Sequence, residues 1–481
     1  MPQPQVWQNI RPAVTSAASA TGGGTDKRAL IVLYLGGGLD HNSFLTPAVA
    51  GADRTAYEAA RPNTKEAINA NTRLTNTNWQ LHRSFYSTTP ANNAMDVFSA
   101  GKGAILLNVG PLTRVTNKSN YLDGGTLPYQ LYSHSDQSKV WQTGMPREPG
   151  AATGFLGRLI EMLSPSFNTA VGGVTYPAMY TFAGKTEFSQ TFDLAVGGLS
   201  STGLASRSTG PAGAALKSQF DALIFPADTS ALNPMQKFIV QTNAASEVVT
   251  SKVATVLASE GAAISTPATI DASLKTALQM CKAMDQVGQR RQIHWLQQGG
   301  FDQHSGLVAD VNTRLLVTRA YIKQFYDAIT HSSFTATGVN VTLLVYSEFG
   351  RTLTENGDGT DHAWGGHAML FGPDVLGTNG TAVASSCLYG KQHTLDFKNA
   401  MVNQQYVPGP ATGGVDQRGL LIPTTPFDCL YSTISKWMGV PDSNLSGSGS
   451  TANPMDLVLP NLVAGGFTNS GATARDLGML A

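Results

Sequence analysis

An apolar run that ends abruptly in polar groups is the feature that most constrains the fold of this chain. Residues 339–346 have the composition of a strand covered on both faces, and Ser347-Glu348-Phe349-Gly350-Arg351 follows directly. Strands of this kind belong to parallel sheets. In open α/β sheets, ligands bind at the carboxyl ends of the strands. The sequence therefore predicts a site that includes Glu348, with Arg351 as a candidate catalytic residue.

Two other apolar runs end in the same way. Residues 29–35 lead into Gly36-Gly-Gly-Leu-Asp40, and residues 294–298 lead into Gly299-Gly-Phe-Asp302-Gln-His304. In an extended backbone, the spacing of Asp302 and His304 directs both side chains to the same side. The first run is not a dinucleotide-binding loop of the G-x-G-x-x-G type, because His41 occupies the position of the last glycine. We expect these polar groups to meet Glu348 at one edge of the sheet.

The apolar patterns together predict an α/β fold, with a doubly wound, mostly parallel sheet, helices on both faces and loop-rich insertions. Residues 104–109 form another strand candidate. Helices are expected at about 154–163, 234–257, 272–289, 306–332 and 427–438. Three regions follow: a flexible leader (1–26), an α/β domain (27–440) and a loop-rich C-terminal arm on the surface (441–481). Within the domain, residues 165–275 read as an insertion that could cap the site.

Composition excludes several classes of partner. Charged residues make up 13% of the chain and the net charge is zero, so there is no electrostatic footprint for nucleic acid or an anionic membrane. No apolar run reaches the roughly 18 residues that a membrane span needs. The three cysteines are scattered, which excludes a disulfide framework and leaves room for one bridge at most.

A glycine-rich loop after residue 351 supplies most of the remaining candidate metal ligands. Carboxylates and imidazoles at this density suit a divalent metal, zinc or manganese above all, in a site of one or two ions. The complete set of candidate ligands is Asp40, Asp302, His304, Glu348, Asp361, His362 and His367. Calcium is a second hypothesis for residues 356–361, although this loop lacks the distal glutamate of a calcium-binding loop.

Ser133 and His134 are the remaining catalytic candidates, and two interpretations of the serine stay open. Ser133 precedes a predicted helix and would serve as its N-cap. A hydroxyl at a helix N-terminus beside a metal would also serve as a nucleophile. Metal-bound water is the alternative nucleophile.

Seven motifs in a fixed order resemble the DUF1501 family of bacterial exported proteins, which is similar in fold to the alkaline phosphatase/sulfatase superfamily. The motifs are residues 29–40, Ser133-His-Ser-Asp-Gln137, residues 154–159, Gly300-Phe-Asp-Gln-His304, Ser347-Glu-Phe-Gly-Arg351, Thr360-Asp-His-Ala-Trp-Gly-Gly-His367 and Ile422-Pro-Thr-Thr425. The resemblance implies an alkaline phosphatase-like sheet, twin-arginine (Tat) export and a periplasmic or secreted location.

The resemblance also implies roles for individual residues. Asp40 would be the first metal carboxylate, Ser133 the counterpart of the nucleophile, Asp302 and His304 a ligand pair, and His362 a late ligand. Phe349 stands where the superfamily has a histidine. No cysteine lies in a Cys-x-Pro-x-Arg pattern, so the formylglycine of sulfatases has no counterpart.

Two functions follow as expectations. The first is a metal-dependent hydrolase of phosphate or sulfate esters, with a small-molecule or polymer substrate. The alternative is a catalytically degenerate family member that serves as a binding or assembly protein, with a protein partner or a second copy of itself. The substitution at Phe349 favours the alternative, whereas the acids and histidines at the other strand ends favour the hydrolase.

Overall fold

The computed structural model describes the greater part of the chain. Its described residues are 26–117, 121, 126–148, 150–184, 186–191, 194, 196–200, 203–204, 219, 226, 228–230, 232–260, 271–377, 386–390, 406–407, 419–443, 453–467 and 474–481. The expected leader lies outside the described residues except for Asp26.

One mixed, mostly parallel sheet organises the molecule. The described strands are β1 (Lys27–Leu35), β2 (Leu45–Pro47), β3 (Trp79–Leu81), β4 (Gly103–Gly110), β5 (Met179–Thr181), β6 (Gly197–Ser200), β7 (Gly203–Leu204), β8 (Arg291–Gln298), β9 (Val339–Tyr346), β10 (Gly366–Phe371), β11 (Leu388–Tyr389), β12 (Tyr406–Val407), β13 (Leu420–Leu421) and β14 (Thr425–Pro426). The order in the main sheet is β11-β4-β10-β9-β1-β8-β5-β6-β7, with β14 also paired to β4, and β2, β3, β12 and β13 lie outside it. All strands of the main sheet but β10 and β7 run in one direction.

Helices cover both faces of this sheet. They are α1 (His41–Phe44), α2 (Ala52–Ala60), α3 (Met95–Ser99), α4 (His134–Thr143), α5 (Phe155–Phe167), α6 (Pro234–Glu260), α7 (Ala272–Lys282), α8 (Leu307–Thr330), α9 (Ser332–Thr335), α10 (Phe427–Met438), α11 (Pro454–Val458) and α12 (Pro460–Ala464). Short 3₁₀ turns lie at Ala70–Thr72, Arg83–Phe85, Pro90–Asn92 and Glu187–Ser189.

The central strand β1 shows why its run is apolar without alternation. Leu30 and Val32 pack into one core with α4, α5 and α10. Ile31 and Leu33 pack into a second core with α7 and α8, on the opposite face. Because successive side chains of a strand point to opposite faces, a strand covered on both sides must be apolar throughout. The expected α/β sheet with two covered faces is confirmed.

The centre of the sheet brings three strand ends together. β1 lies between β8 and β9 and is parallel to both. Leu35 at the end of β1 is in register with Gln298 at the end of β8, and Tyr34 with Tyr346 at the end of β9. The chain passes from β8 through α8 to β9 and so crosses β1. The residues after these three strands therefore emerge side by side, at the edge where α/β sheets bind ligands.

The region expected as an insertion extends the sheet in its described part. β5 pairs with β8, and β6 and β7 continue that edge. The C-terminal part of α6 packs on α7 through Val253 and Val256. The predicted helix at 272–289 ends at Lys282, and the chain then turns over residues 283–288, where Gly288 has a φ of +65°.

The prediction of a C-terminal surface arm is wrong for the part of it that the structure describes. Met455, Leu459 and Leu462 of this region are fully buried in the main core. Their apolar side chains lie between glycine- and serine-rich segments, whose composition dominated the prediction. Residues 444–452 lie outside the described part of the chain.

Two further findings concern membranes and cysteines. Within the described ranges, no helix combines the length and the apolarity that a bilayer crossing requires. Cys281, Cys387 and Cys429 are each buried and carry free thiols.

Candidate metal centre

Three imidazole rings converge on one carboxylate oxygen at the carboxyl edge of the sheet. The Nε2 atoms of His134, His304 and His362 lie 3.4, 3.0 and 3.2 Å from Oδ1 of Asp302. Asp302 and His304 follow β8, as the sequence predicted, and they point to the same side. His134 is the first residue of α4, and His362 comes from the loop between β9 and β10.

Each of the three rings is held from behind through its Nδ1 atom. Nδ1 of His134 lies 2.8 Å from Oε1 of Glu348, and Nδ1 of His304 lies 3.1 Å from Oδ1 of Asp361. Nδ1 of His362 lies 2.7 Å from the carbonyl oxygen of Tyr132. Because these oxygens are acceptors, we assign the proton of each neutral ring to Nδ1. The lone pair of each Nε2 then faces Asp302.

The atoms that face one another at the centre, the three Nε2 atoms and Oδ1 of Asp302, form few good hydrogen bonds among themselves. Nε2 of His304 and Nε2 of His362 are 2.9 Å apart. Nε2 of His134 is buried and has no hydrogen-bond partner among the described residues. The ligand atoms of His134, Asp302 and His362 all lie within 4.8 Å of one another. Lone pairs and a carboxylate oxygen gathered around one point are donors of the kind that bind a divalent cation, and imidazole with carboxylate suits zinc, manganese or iron.

Histidine ligands of metals commonly donate the outer N–H to a carboxylate or a backbone carbonyl, which fixes the tautomer and orients the ring. All three rings here have such an acceptor. A hydrogen bond to Glu348 raises the pKa of His134, whereas burial lowers the pKa of His362. Partial burial acts to raise the pKa of Asp302, but the hydrogen bond from Arg351 and the positive charge of that guanidinium help to outweigh burial and hold that pKa below its usual value. Asp302 is therefore an anion at neutral pH.

Arg351 supports Asp302 from the interior. Its side chain is fully buried, and Nη1 donates to Oδ1 of Asp302 and to the carbonyl oxygen of Gly37, each at 3.0 Å. Nε and Nη2 donate to the hydroxyl and the carbonyl oxygen of Thr360, at 3.0 and 2.6 Å. The guanidinium, a candidate catalytic group in the sequence, is thus committed to orienting the carboxylate and the β9–β10 loop.

Glu348 lies behind His134, on the side of the ring that carries Nδ1. It is buried, and Oε1 accepts both the His134 contact and the amide N–H of Gly37 at 2.8 Å. Phe349 packs beneath the centre, with its ring centroid 4.8 Å from that of His134 and 4.9 Å from that of His362. In the structure, Glu348 orients a histidine and Phe349 forms the apolar floor.

Two of the predicted ligands lie elsewhere. Asp40 is fully buried and forms an ion pair with Arg61, whose Nη2 donates to Oδ1 at 2.8 Å. Burial acts against its charge, and Arg61 outweighs this and holds the pKa of Asp40 below its usual value. His367 belongs to β10, where its Nδ1 accepts the backbone N–H of Asn108 at 3.1 Å. The structure brings neither residue to Asp302.

Ser133 acts as the N-cap of α4, which confirms the first of its two interpretations. Its hydroxyl oxygen accepts the backbone N–H of Asp136, and the hydroxyl also contacts Oδ2 of Asp136 at 2.6 Å. In the loop considered for calcium, Asp358 accepts the backbone N–H of Gly306 at the start of α8, and Asp361 holds His304.

Sequence reasoning missed the backbone groups of the centre. The carbonyl oxygen of Tyr132 and the amide of Gly37 carry no side-chain signal. The position of Tyr132 directly before the Ser133-His134 motif was the one available indication of its role.

The DUF1501 profile, described as "protein of unknown function", matches residues 27–399. The chain belongs to the DUF1501 family. This match includes every residue of the candidate metal centre, from Tyr132 to His362. None of the curated proteins matches the chain significantly. What this family member does must therefore be argued from its centre.

Proposed function

We propose that this member of the DUF1501 family is a metal-dependent hydrolase of phosphate or sulfate esters. Its metal centre is formed by His134, Asp302, His304 and His362. The observation that carries the proposal is the convergence of three Nε2 atoms on Oδ1 of Asp302, with each Nδ1 held by an acceptor behind the ring. Zinc or manganese fits this donor set best.

A bound divalent ion would supply Lewis-acid chemistry, polarising an ester oxygen and lowering the pKa of water. The protein contributes binding and orientation. The side chains of Asp302 and His304 are each 47% exposed and that of His134 is 33% exposed, so a substrate reaches the centre from solvent. Glu348, Asp361 and Arg351 keep the rings and the carboxylate fixed while the substrate binds.

Water is the nucleophile that this arrangement favours. The hydroxyl of Ser133 is engaged with the first turn of α4. A relationship to the alkaline phosphatase/sulfatase superfamily is part of the proposal, supported by polar groups after the central parallel strands β8 and β9. We also propose a periplasmic or secreted location, supported by the family resemblance and by the low share of charged residues, 13%.

A binding or assembly role is the second candidate. One observation favours it: an apolar ring, Phe349, forms the floor of the centre at the position where the superfamily has an imidazole. In that case the metal would order the β9–β10 loop for a partner protein and would not act on an ester.

Metal content tests the proposal most directly. We expect purified protein, loaded with zinc or manganese and then dialysed, to retain one ion per chain by elemental analysis. His362→Ala and His134→Ala should lose it. His331→Ala is the matched control, since His331 lies on the surface and bonds Ser333.

A wild-type protein that retains no ion would overturn the metal centre. If the ion is retained, the loaded protein is next assayed for cleavage of aryl phosphate, phosphodiester and aryl sulfate substrates. Turnover that disappears in His362→Ala supports the hydrolase. A loaded protein that cleaves none of the three classes contradicts it and leaves the binding role.

A further inference from the structure

A strained turn precedes the metal centre. Gln130 and Tyr132 have φ angles of 44° and 74°, in the left-handed region that residues with side chains rarely adopt. Two such residues within three positions are costly, and a bulky aromatic is an unusual choice for either. Strain of this kind persists only where the surrounding structure enforces it, and it concentrates at functional sites.

The enforcing group is a glutamine on α4. Gln137 is 1% exposed, and its Nε2 donates to the carbonyl oxygen of Tyr129 at 2.7 Å and to that of Gln130 at 3.2 Å. The hydroxyl of Tyr132 also bonds that of Tyr121 at 2.7 Å. Gln137 therefore ties two consecutive carbonyl groups of the turn to the helix that begins with His134.

The strained conformation directs a backbone carbonyl group toward one of the three histidine rings. The carbonyl oxygen of Tyr132 points at Nδ1 of His362, 2.7 Å away. The rings of His134 and His304 are held by side-chain carboxylates, whereas His362 depends on this one backbone carbonyl. A relaxed Tyr132 would rotate its peptide group, and His362 would then be able to place its proton on either nitrogen.

We infer that Gln137 is a positioning residue of the metal centre, which holds the strained turn so that the carbonyl of Tyr132 fixes the tautomer of His362. Gln137 acts through the backbone and touches none of the ligands in the described contacts. For its functional meaning the inference rests on the proposed metal centre.

Gln137→Met tests this assignment, because methionine keeps the length of the side chain and removes the donor. The matched control is Gln142→Met, at a second buried glutamine on the same helix, whose Oε1 accepts the backbone N–H of Phe188 at 3.4 Å. Tautomers are read from long-range ¹H–¹⁵N spectra of the metal-free proteins, with His362 assigned by comparison with His362→Ala. Zinc affinity is measured by competition with a chromogenic chelator.

In the wild type and in Gln142→Met, we expect His362 to be protonated at Nδ1 alone. In Gln137→Met we expect a mixture of tautomers and a zinc affinity about tenfold weaker, as for other groups that orient a metal ligand. Adding Tyr132→Asn should restore the single tautomer, since asparagine tolerates positive φ better than tyrosine.

An unchanged tautomer in Gln137→Met would overturn the inference, and so would a double variant that stays mixed. These spectra need no metal. A wild type that binds no zinc would therefore refute the proposed centre, while the role of Gln137 in setting the tautomer would be decided separately.

Discussion

The Nδ1 atom of His134 lies 2.8 Å from Oε1 of Glu348, and this contact joins the first turn of α4 to the end of β9. The carboxylate is buried and receives the Gly37 amide as well, so its position is fixed by the central strands of the sheet. The sheet thereby sets the direction in which one histidine presents its lone pair.

Glu348→Gln should weaken zinc binding by about tenfold to a hundredfold, the usual cost of losing a group that orients a metal ligand. Glutamine preserves the shape but removes the charge that favours an electron-rich imidazole at His134. Chelator competition measures the effect. Glu355→Gln is the control, because Glu355 binds Asn63 and Thr64 instead of a histidine. Equal zinc affinity in the two variants would contradict the role assigned to Glu348.

Ser133→Ala separates the cap from the nucleophile. Loss of an N-cap costs about 1 kcal/mol of stability. We expect the free energy of unfolding in urea to fall by that amount, while ester turnover by the zinc-loaded protein stays within about twofold of wild type. Complete loss of turnover with zinc still bound would instead identify the Ser133 hydroxyl as the attacking group.

Arg61→Met should be severely destabilising, because it leaves the fully buried Asp40 carboxylate without its cation. Breaking a buried ion pair in this way typically costs about 3–5 kcal/mol. Arg61 also donates to the carbonyl oxygens of Thr352 and Leu353, so Asp40→Asn in the same chain should recover only a part of the loss. Urea unfolding measures both variants. The double variant should still bind zinc. A folded double variant that binds no zinc would indicate that Asp40 is a metal ligand after all.

The buried carboxyl group of Asp428 should make the stability of the protein depend on pH. Burial raises its pKa to about 7, above the value of about 3.9 expected in the unfolded chain. Between these values the native state binds more protons than the unfolded state, so stability falls as the pH rises from about 4 to 7 and changes no further above that.

Asp428→Asn removes this penalty and keeps an acceptor for Asn461, which donates to Oδ2 at 2.8 Å. The variant should gain stability at pH 8, at most about 4 kcal/mol at 1.36 kcal/mol per pKa unit, and little at pH 4. Thermal unfolding across this range checks the sign. Asp96→Asn, at an exposed position, is the control. A gain at pH 4 equal to that at pH 8 would show that Asp428 is not the titrating group.

The sequence predicted the central elements well, because their signals are local. The bounds of β9 and α10 agree with the pattern to the residue, since an apolar run and an amphipathic repeat have clear ends. The position of Asp302 and His304 at the carboxyl edge of the sheet was predicted in the same way, because both residues follow an apolar run.

The roles of the polar residues could not be predicted in the same way. In the sequence, Asp40 has the position of a metal ligand. The structure shows its ion pair with Arg61, which the spacing of the two residues does not predict. Glu348 and Asp302 both follow apolar strands, yet Asp302 lies at the centre, whereas Glu348 orients the ring of His134 from behind. Such differences depend on packing between distant segments, and in the case of Tyr132 on a backbone atom that every residue possesses.

The crossover from β8 through α8 to β9 has a consequence for the order in which the molecule matures. His134, Asp302 and His362 are far apart in the chain, and they become neighbours only once β1 has received β8 on one side and β9 on the other. A nascent chain that has not yet been synthesised as far as His362 therefore has no complete centre. If the proposed centre binds metal, unfinished chains would bind it weakly, and metal loading would distinguish the chains that have finished folding.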